Sequence, residues 1–174
     1  PETALSYPLV QGADNDYYLK HTISGAYNEA GSIFADFRLS KTHRDNYNAI
    51  FYGHNMTDGS MFRALRNWYE DYATRDAAAE TMEIEIITRE GVYIYEPFAA
   101  YREVGAHFIT ASFADEKEYL AFLKEIQSKS VLRRRPSYDE NSKICTLVTC
   151  TNVIAMPEER YVLHGILKQV VYYG

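Results

Sequence analysis

The chain has 174 residues, 24 of them acidic and 18 basic, with a formal net charge of −6 and 47% hydrophobic residues. One domain's worth of chain with that much apolar content excludes an intrinsically disordered protein, and the acidic balance excludes one built mainly to coat nucleic-acid phosphates. No apolar run approaches the roughly 18 residues of a membrane span, and the first residues lack the basic-then-apolar layout of an export signal, so an anchor or signal is expected to be missing from this chain.

Sixteen tyrosines and eight phenylalanines suit half-buried pleated surfaces and predict a β-rich chain. Strand-like runs fall at residues 7–11, 32–38 and 49–53. A helix follows at 60–72, where Met61, Leu65 and Trp68 mark one face, flanked by Phe62 and Tyr69. Residues 82–88 and 92–101 read as a hairpin around Arg89-Glu90-Gly91, with Gly91 supplying a positive φ. A sixth strand is expected at 107–112. The clearest helix spans 115–129: Tyr119, Phe122, Leu123 and Ile126 form its apolar stripe, Asp115 and Glu118 a capping-box start, and Lys124 and Lys129 lie toward its negative end. Strands at 143–150 and 160–172 complete a count of eight. Short connections make them mostly antiparallel, so the expectation is a mainly β fold: a closed or nearly closed eight-stranded barrel with peripheral helices, in a single domain over 1–174.

The histidines at 21, 43, 54, 107 and 164 show no metal-ligand spacing, and Gly12, Gly25 and Gly31 make no phosphate loop, so neither a metal nor a cofactor is expected. Cys145 and Cys150 lie five residues apart, roughly 16 Å along an extended strand and beyond the limit of about 7 Å for a disulfide. Alternation sends them to opposite faces, with Cys145 reading as a small buried hydrophobe. Joining 143–150 to 160–172 as an antiparallel hairpin puts Cys150 beside Arg160. His54, just after Gly53 at the end of a strand, can overhang a cleft; an imidazole near a thiol can form a thiolate–imidazolium pair, and an arginine can hold an oxyanion. Arg133-Arg134-Arg135 reads as a solvated loop, with contact to an anionic wall polymer or acidic substrate patch as the functional alternative.

Thr146-Leu147-Val148-Thr149-Cys150, with Arg160 ten residues on, resembles the Thr-Leu-x-Thr-Cys signature and downstream arginine of sortases. Phe51-Tyr52-Gly53-His54-Asn55 resembles their histidine segment, in the family's order of His, Cys, Arg, and the long helix before the cysteine strand resembles the insertion of class B sortases. The resemblance implies a sortase-type β-barrel and a cysteine transpeptidase of Gram-positive cell surfaces, held by an N-terminal membrane anchor. In such an enzyme Cys150 attacks a threonine carbonyl in a C-terminal sorting signal, His54 is the acid–base partner and Arg160 orients the oxyanion. An amine of the peptidoglycan cross-bridge, or a pilin lysine in a pilin polymerase, then resolves the thioester. It also implies substrate contacts for Asn15 and Leu19, four apart as on one helical turn, for Phe108 and Ile109, and for the hydroxyl or backbone amide of Thr149. Core packing for Leu19, Phe108 and Ile109 stays open beside that. Val148 and Thr151 depart from the serine and the charged residue common in class B. A cysteine protease using water, and a non-enzymatic β-barrel surface module, are the readings outside the family.

Overall fold

Seven of the β-rich runs form strands in the computed structural model, which describes residues 5–150, 152 and 154–174. They are β1 (Leu9–Gln11), β2 (Ile33–Ala35), β3 (Asn48–Tyr52), β4 (Ile84–Ile87), β5 (Gly91–Val104), β6 (Ile144–Cys150) and β7 (Glu159–Tyr172). One curled sheet holds them in the order β1-β2-β3-β6-β7-β5-β4, with β1/β2 and β3/β6 parallel and the other pairs antiparallel. The sheet is a half-barrel with β1 and β4 at its edges, which corrects the expected eight-stranded closure.

The missing eighth strand is residues 107–112. Gly105, at φ +100°, ends β5, and the chain then turns through a 3-10 helix at His107–Ile109 in which the Thr110 hydroxyl donates to the His107 carbonyl at 2.8 Å. Phe108 and Ile109 are apolar because they pack beneath this turn, not because a strand alternates there. The 4–5 hairpin forms as expected, with Ile87 opposite Val92, but Gly91 does not adopt a positive φ. It is required for a different reason: a Cβ at position 91 would lie 2.3 Å from the Val171 carbonyl oxygen of β7.

Side-chain alternation gives the sheet two buried faces. Ala49, Phe51, Cys145, Leu147, Tyr161 and Leu163 pack on one, under α1 (Leu65–Glu70) and α2 (Arg75–Thr81). Ile50, Val148, Val162 and Ile166 pack on the other, under α3 (Glu116–Lys129), which brings Tyr119, Phe122, Leu123 and Ile126 to them. The cap of α3 is as expected, Asp115 accepting from the Glu118 amide at 2.8 Å while the Glu118 carboxylate reaches back to the Ala114 amide.

The helix expected at 60–72 is shorter. Met61 sits at φ +55°, so the chain enters through a 3-10 turn at Phe62–Ala64 before α1, and Phe62, Leu65 and Trp68 are the buried residues. Helix α2 carries no bulky stripe, only Ala79 fully buried; its signal is the alanine run after Asp71, whose side chain accepts from the Ala73 and Thr74 amides. Arg133 and Arg134 tie the segment after α3 to this helix and to β5, through Asp76, Ala79 and Glu96, while Arg135 bonds to its own loop. Arg133 and Arg135 remain exposed, and Arg134 is half-buried.

Candidate active site

Strand β6 lies between β3 and β7, and its last residue is Cys150. Cys150 stands directly opposite Arg160 in the antiparallel ladder, as expected for this hairpin. Because 150, 148 and 146 share a face with 160, 162 and 164, both side chains leave the sheet on the α3 side. The parallel pairing of β3 with β6 carries His54 to the same end. Tyr52 pairs with Val148, the Gly53 amide donates to the Val148 carbonyl at 3.2 Å, and the Asn55 amide nitrogen donates to the Cys150 carbonyl at 2.7 Å. His54 is thus bracketed by two residues bonded to the strand of Cys150. Gly53 is needed at this exit, since a Cβ there would meet the Phe62 ring at 2.8 Å.

The ring of His54 is oriented by Leu19, whose carbonyl oxygen lies 2.7 Å from Nε2. A carbonyl only accepts, so Nε2 carries the hydrogen and Nδ1 holds the lone pair of the neutral ring. Nδ1 is therefore the atom able to take a proton from a thiol. Arg160 is tethered by one end of its guanidinium: Nη1 donates to the Pro157 carbonyl at 2.7 Å and to that of Glu159 at 3.0 Å. Nη2 lies 3.9 Å from the exposed Glu158 carboxylate. A second asparagine closes the corner, Asn152 at φ +61° donating to the Asn55 carbonyl at 2.8 Å.

Cys145 lies wholly inside the other face, where burial pushes its thiol up to about 12 and its sulfur packs against Gly165. Cys150 is partly exposed. Iodoacetamide should accordingly modify Cys150 at least about 100-fold faster than Cys145 in the native protein, with His54→Ala slowing the Cys150 reaction. Mass mapping of the labelled peptides measures both rates, and comparable labelling of the two thiols would contradict the assignment.

Asn15 and Leu19 do not share one helical turn, because the 3-10 helix covers only Tyr17–Leu19. Leu19 reaches the site through its carbonyl, and Asn15 by bonding Asp36 Oδ2 at 3.0 Å while accepting from the Phe37 amide at 3.0 Å. Phe108 is buried against the α3 cluster, and Ile109 is half-buried beside it. The Thr149 hydroxyl does not face the Cys150 side: it is buried on the opposite face, with no hydrogen-bond partner among the described residues, because odd and even positions of β6 alternate. Thr151 lies outside the described residues. Among the described residues no cluster of His, Cys, Asp or Glu could hold a metal ion. A cavity of about 770 Å³ lies on the Cys145 face instead, lined by Trp68, Phe62 and Leu163 among others.

Sequence reasoning missed two polar networks on the Cys150 face. Asp36, fully buried, gathers Asn15, Arg38 and Tyr52. Deeper in the sheet, the Thr146 hydroxyl donates to Asn48 Oδ1 at 2.6 Å, so His164 Nδ1 must donate to Thr146 at 2.8 Å and Nε2 must accept from the Tyr101 hydroxyl at 2.8 Å. Asn48 then donates to the Thr110 carbonyl at 3.0 Å. Only the neutral ring fits this one-way series. Its readable signal is the placement of His164 and Thr146 on the same face as Arg160 and Cys150.

No protein-family model matches the chain. Sortase B of Listeria monocytogenes is 32% identical over 165 residues, 94% of this chain, and the chain spans 65% of that relative's length. A solved Listeria sortase B structure superposes with a TM-score of 0.79 at 32% identity, over 92% of this chain and 86% of that one. Clostridium perfringens sortase B gives 0.83 at 28% identity, over 94% and 87%, and a Staphylococcus aureus sortase B–substrate complex gives 0.81 at 31% identity, over 95% and 74%. With sequence likeness and fold agreeing across nearly its whole length, the chain belongs to the sortase B family.

Proposed function

We propose that the protein is a cysteine transpeptidase that cleaves a C-terminal sorting signal after threonine and passes the acyl group to an amine of the cell wall. The observation that carries this reading is the pairing of Cys150 with Arg160 on the strand to which the residues flanking His54 are bonded. His54 Nδ1 takes the thiol proton. The sulfur of Cys150 bonds to the threonine carbonyl carbon, and the N–H donors of Arg160 other than those given to Pro157 and Glu159 meet the oxyanion. As the tetrahedral adduct collapses, the C–N bond breaks and the departing amine takes the proton from His54, leaving a thioester. An incoming amine then forms a new C–N bond, and the C–S bond breaks to return the thiol.

That a Staphylococcus aureus sortase B has been solved with a substrate supports a substrate site in this chain, and surface proteins bearing sorting signals are the proposed partners. Such substrates are met on the outer face of a Gram-positive membrane, where we place this enzyme. No described helix is long and apolar enough to cross a membrane. Intact mass spectrometry after incubation with hexapeptides carrying threonine at the cleaved position should show an acyl adduct on Cys150, lost in Cys150→Ala. Triglycine should discharge it faster than water or a lysine amine. No adduct with any peptide overturns the reading, and discharge by lysine alone makes the enzyme a pilin polymerase.

A further inference from the structure

Asp36 follows β2 and is 0% exposed, yet its carboxylate accepts five hydrogen bonds. Oδ1 takes the Arg38 amide at 3.0 Å and Arg38 Nε at 2.8 Å, and Oδ2 takes Arg38 Nη2 at 2.7 Å, the Tyr52 hydroxyl at 2.8 Å and Asn15 Nδ2 at 3.0 Å. Arg38 Nη2 also reaches the Ile109 carbonyl at 2.9 Å. Burial alone would raise this carboxyl, but the bonds from Arg38, Tyr52 and Asn15 outweigh it and hold it at about 2, so it is ionised at any pH where a thiol reacts.

A buried carboxylate is a poor way to gain stability, because desolvation consumes most of what the pairing returns. What it does well is hold several donors in one geometry. The donors are Asn15 from the loop before the Tyr17–Leu19 turn, Tyr52 from the end of β3 and Arg38, whose guanidinium carries the tie on to the Ile109 carbonyl of the turn at His107–Ile109; no strand pairing joins that loop, that strand end and that turn to one another. Each borders the site. Tyr52 stands two residues before His54, Asn15 stands four before the carbonyl that orients it, and Ile109 belongs to the turn on the nucleophile's face.

We infer that Asp36 is a positioning residue for peptide binding, its carboxylate fixing the spacing between the Asn15–Leu19 segment, the His54 strand end and the Ile109 turn. The inference deepens the proposed function and rests on its placing of the sorting peptide at Cys150, His54 and Arg160, which these segments border. Asp36 touches neither the reacting bond nor Cys150, so its loss changes how well a peptide is held, not how fast a held peptide reacts.

Asp36→Asn keeps the volume and removes the charge. With the threonine hexapeptides its KM should rise about tenfold or more while kcat stays within about threefold and iodoacetamide labelling of Cys150 is unchanged. Amide hydrogen exchange should quicken at 15–19 and 107–110 and stay unchanged in β6 and β7. Arg38→Gln, which removes both guanidinium bonds to the carboxylate and the one to the Ile109 carbonyl, should quicken exchange most at 107–110. Wild-type KM in folded Asp36→Asn, or a parallel fall of kcat and thiol labelling with melting temperature, overturns the inference. If the wild-type protein forms no thioester with any peptide, the proposed function fails, and exchange still decides: faster exchange at both segments upholds the tie, and unchanged exchange overturns it.

Discussion

Arg160→Lys should lower kcat/KM for thioester formation about 100-fold or more while the melting temperature stays within a few degrees of wild type. The charge survives this substitution, but the geometry does not. In the native side chain Nη1 is held by the Pro157 and Glu159 carbonyls, and that tether aims the rest of a rigid plane. A lysine has one nitrogen: it can replace the tether or reach the substrate, and cannot do both. Removing a single oxyanion donor typically costs about 3 kcal/mol of transition-state stabilisation, which sets the size of the effect. The loss should fall mainly on kcat, and iodoacetamide should label Cys150 at the wild-type rate, since alkylation develops no oxyanion. Near-normal turnover with a matched melting curve would remove Arg160 from its role.

Acid should destabilise the protein steeply, beginning near pH 6.5. Burial, with a smaller contribution from the positive charge of Lys129, pushes His164 from 6.5 down to about 3. Between those values the ring is protonated in the unfolded chain and neutral in the folded one, so the unfolded state binds the extra proton. The stability is therefore complete above about pH 6.5 and declines as pH falls toward 3, at about 1.4 kcal/mol per unit. Burial pushes His43 down in the same direction, to about 4, and steepens the decline. Over the whole interval His164 alone accounts for about 5 kcal/mol, comparable with the entire stability of many domains. Urea unfolding across this range measures the slope, and His164→Gln, which can still accept from Tyr101 and donate to Thr146, should flatten it by about 1.4 kcal/mol per unit. An unchanged slope would mean that the ring titrates normally despite its burial.

The strands and the convergence of His54, Cys150 and Arg160 at one end of the sheet were legible for different reasons. Alternating β-branched and aromatic runs mark β3, β5, β6 and β7 locally, and the motifs around His54 and Cys150 are short and contiguous, so neither needs knowledge of distant partners. What failed needed such knowledge. Phe108 and Ile109 read as strand residues because apolar side chains look alike whether they face a neighbouring strand or the underside of a turn. Gly91 signalled a special position, but the cause was the approach of β7, some 80 residues later, and not its own φ. Asp36 is one acid among 24, and its donors at 15 and 52 become visible only when β1, β2 and β3 assemble. Thr149 shows the converse: nearness to Cys150 in sequence suggested a shared role for its hydroxyl or its backbone amide, and strand alternation turns the hydroxyl away.

The placement of Cys145 and Cys150 on opposite faces of β6 also governs how the enzyme meets an oxidant. A sulfenic acid formed on Cys150 is normally rescued by condensing with a second thiol, and this chain's only other thiol is sealed behind its own strand, against Gly165. No internal disulfide can form without dismantling the central strand of the sheet. Repair of the oxidised enzyme must therefore be supplied by another molecule, and where none is at hand the oxidation proceeds to the sulfinic state and activity is lost for good.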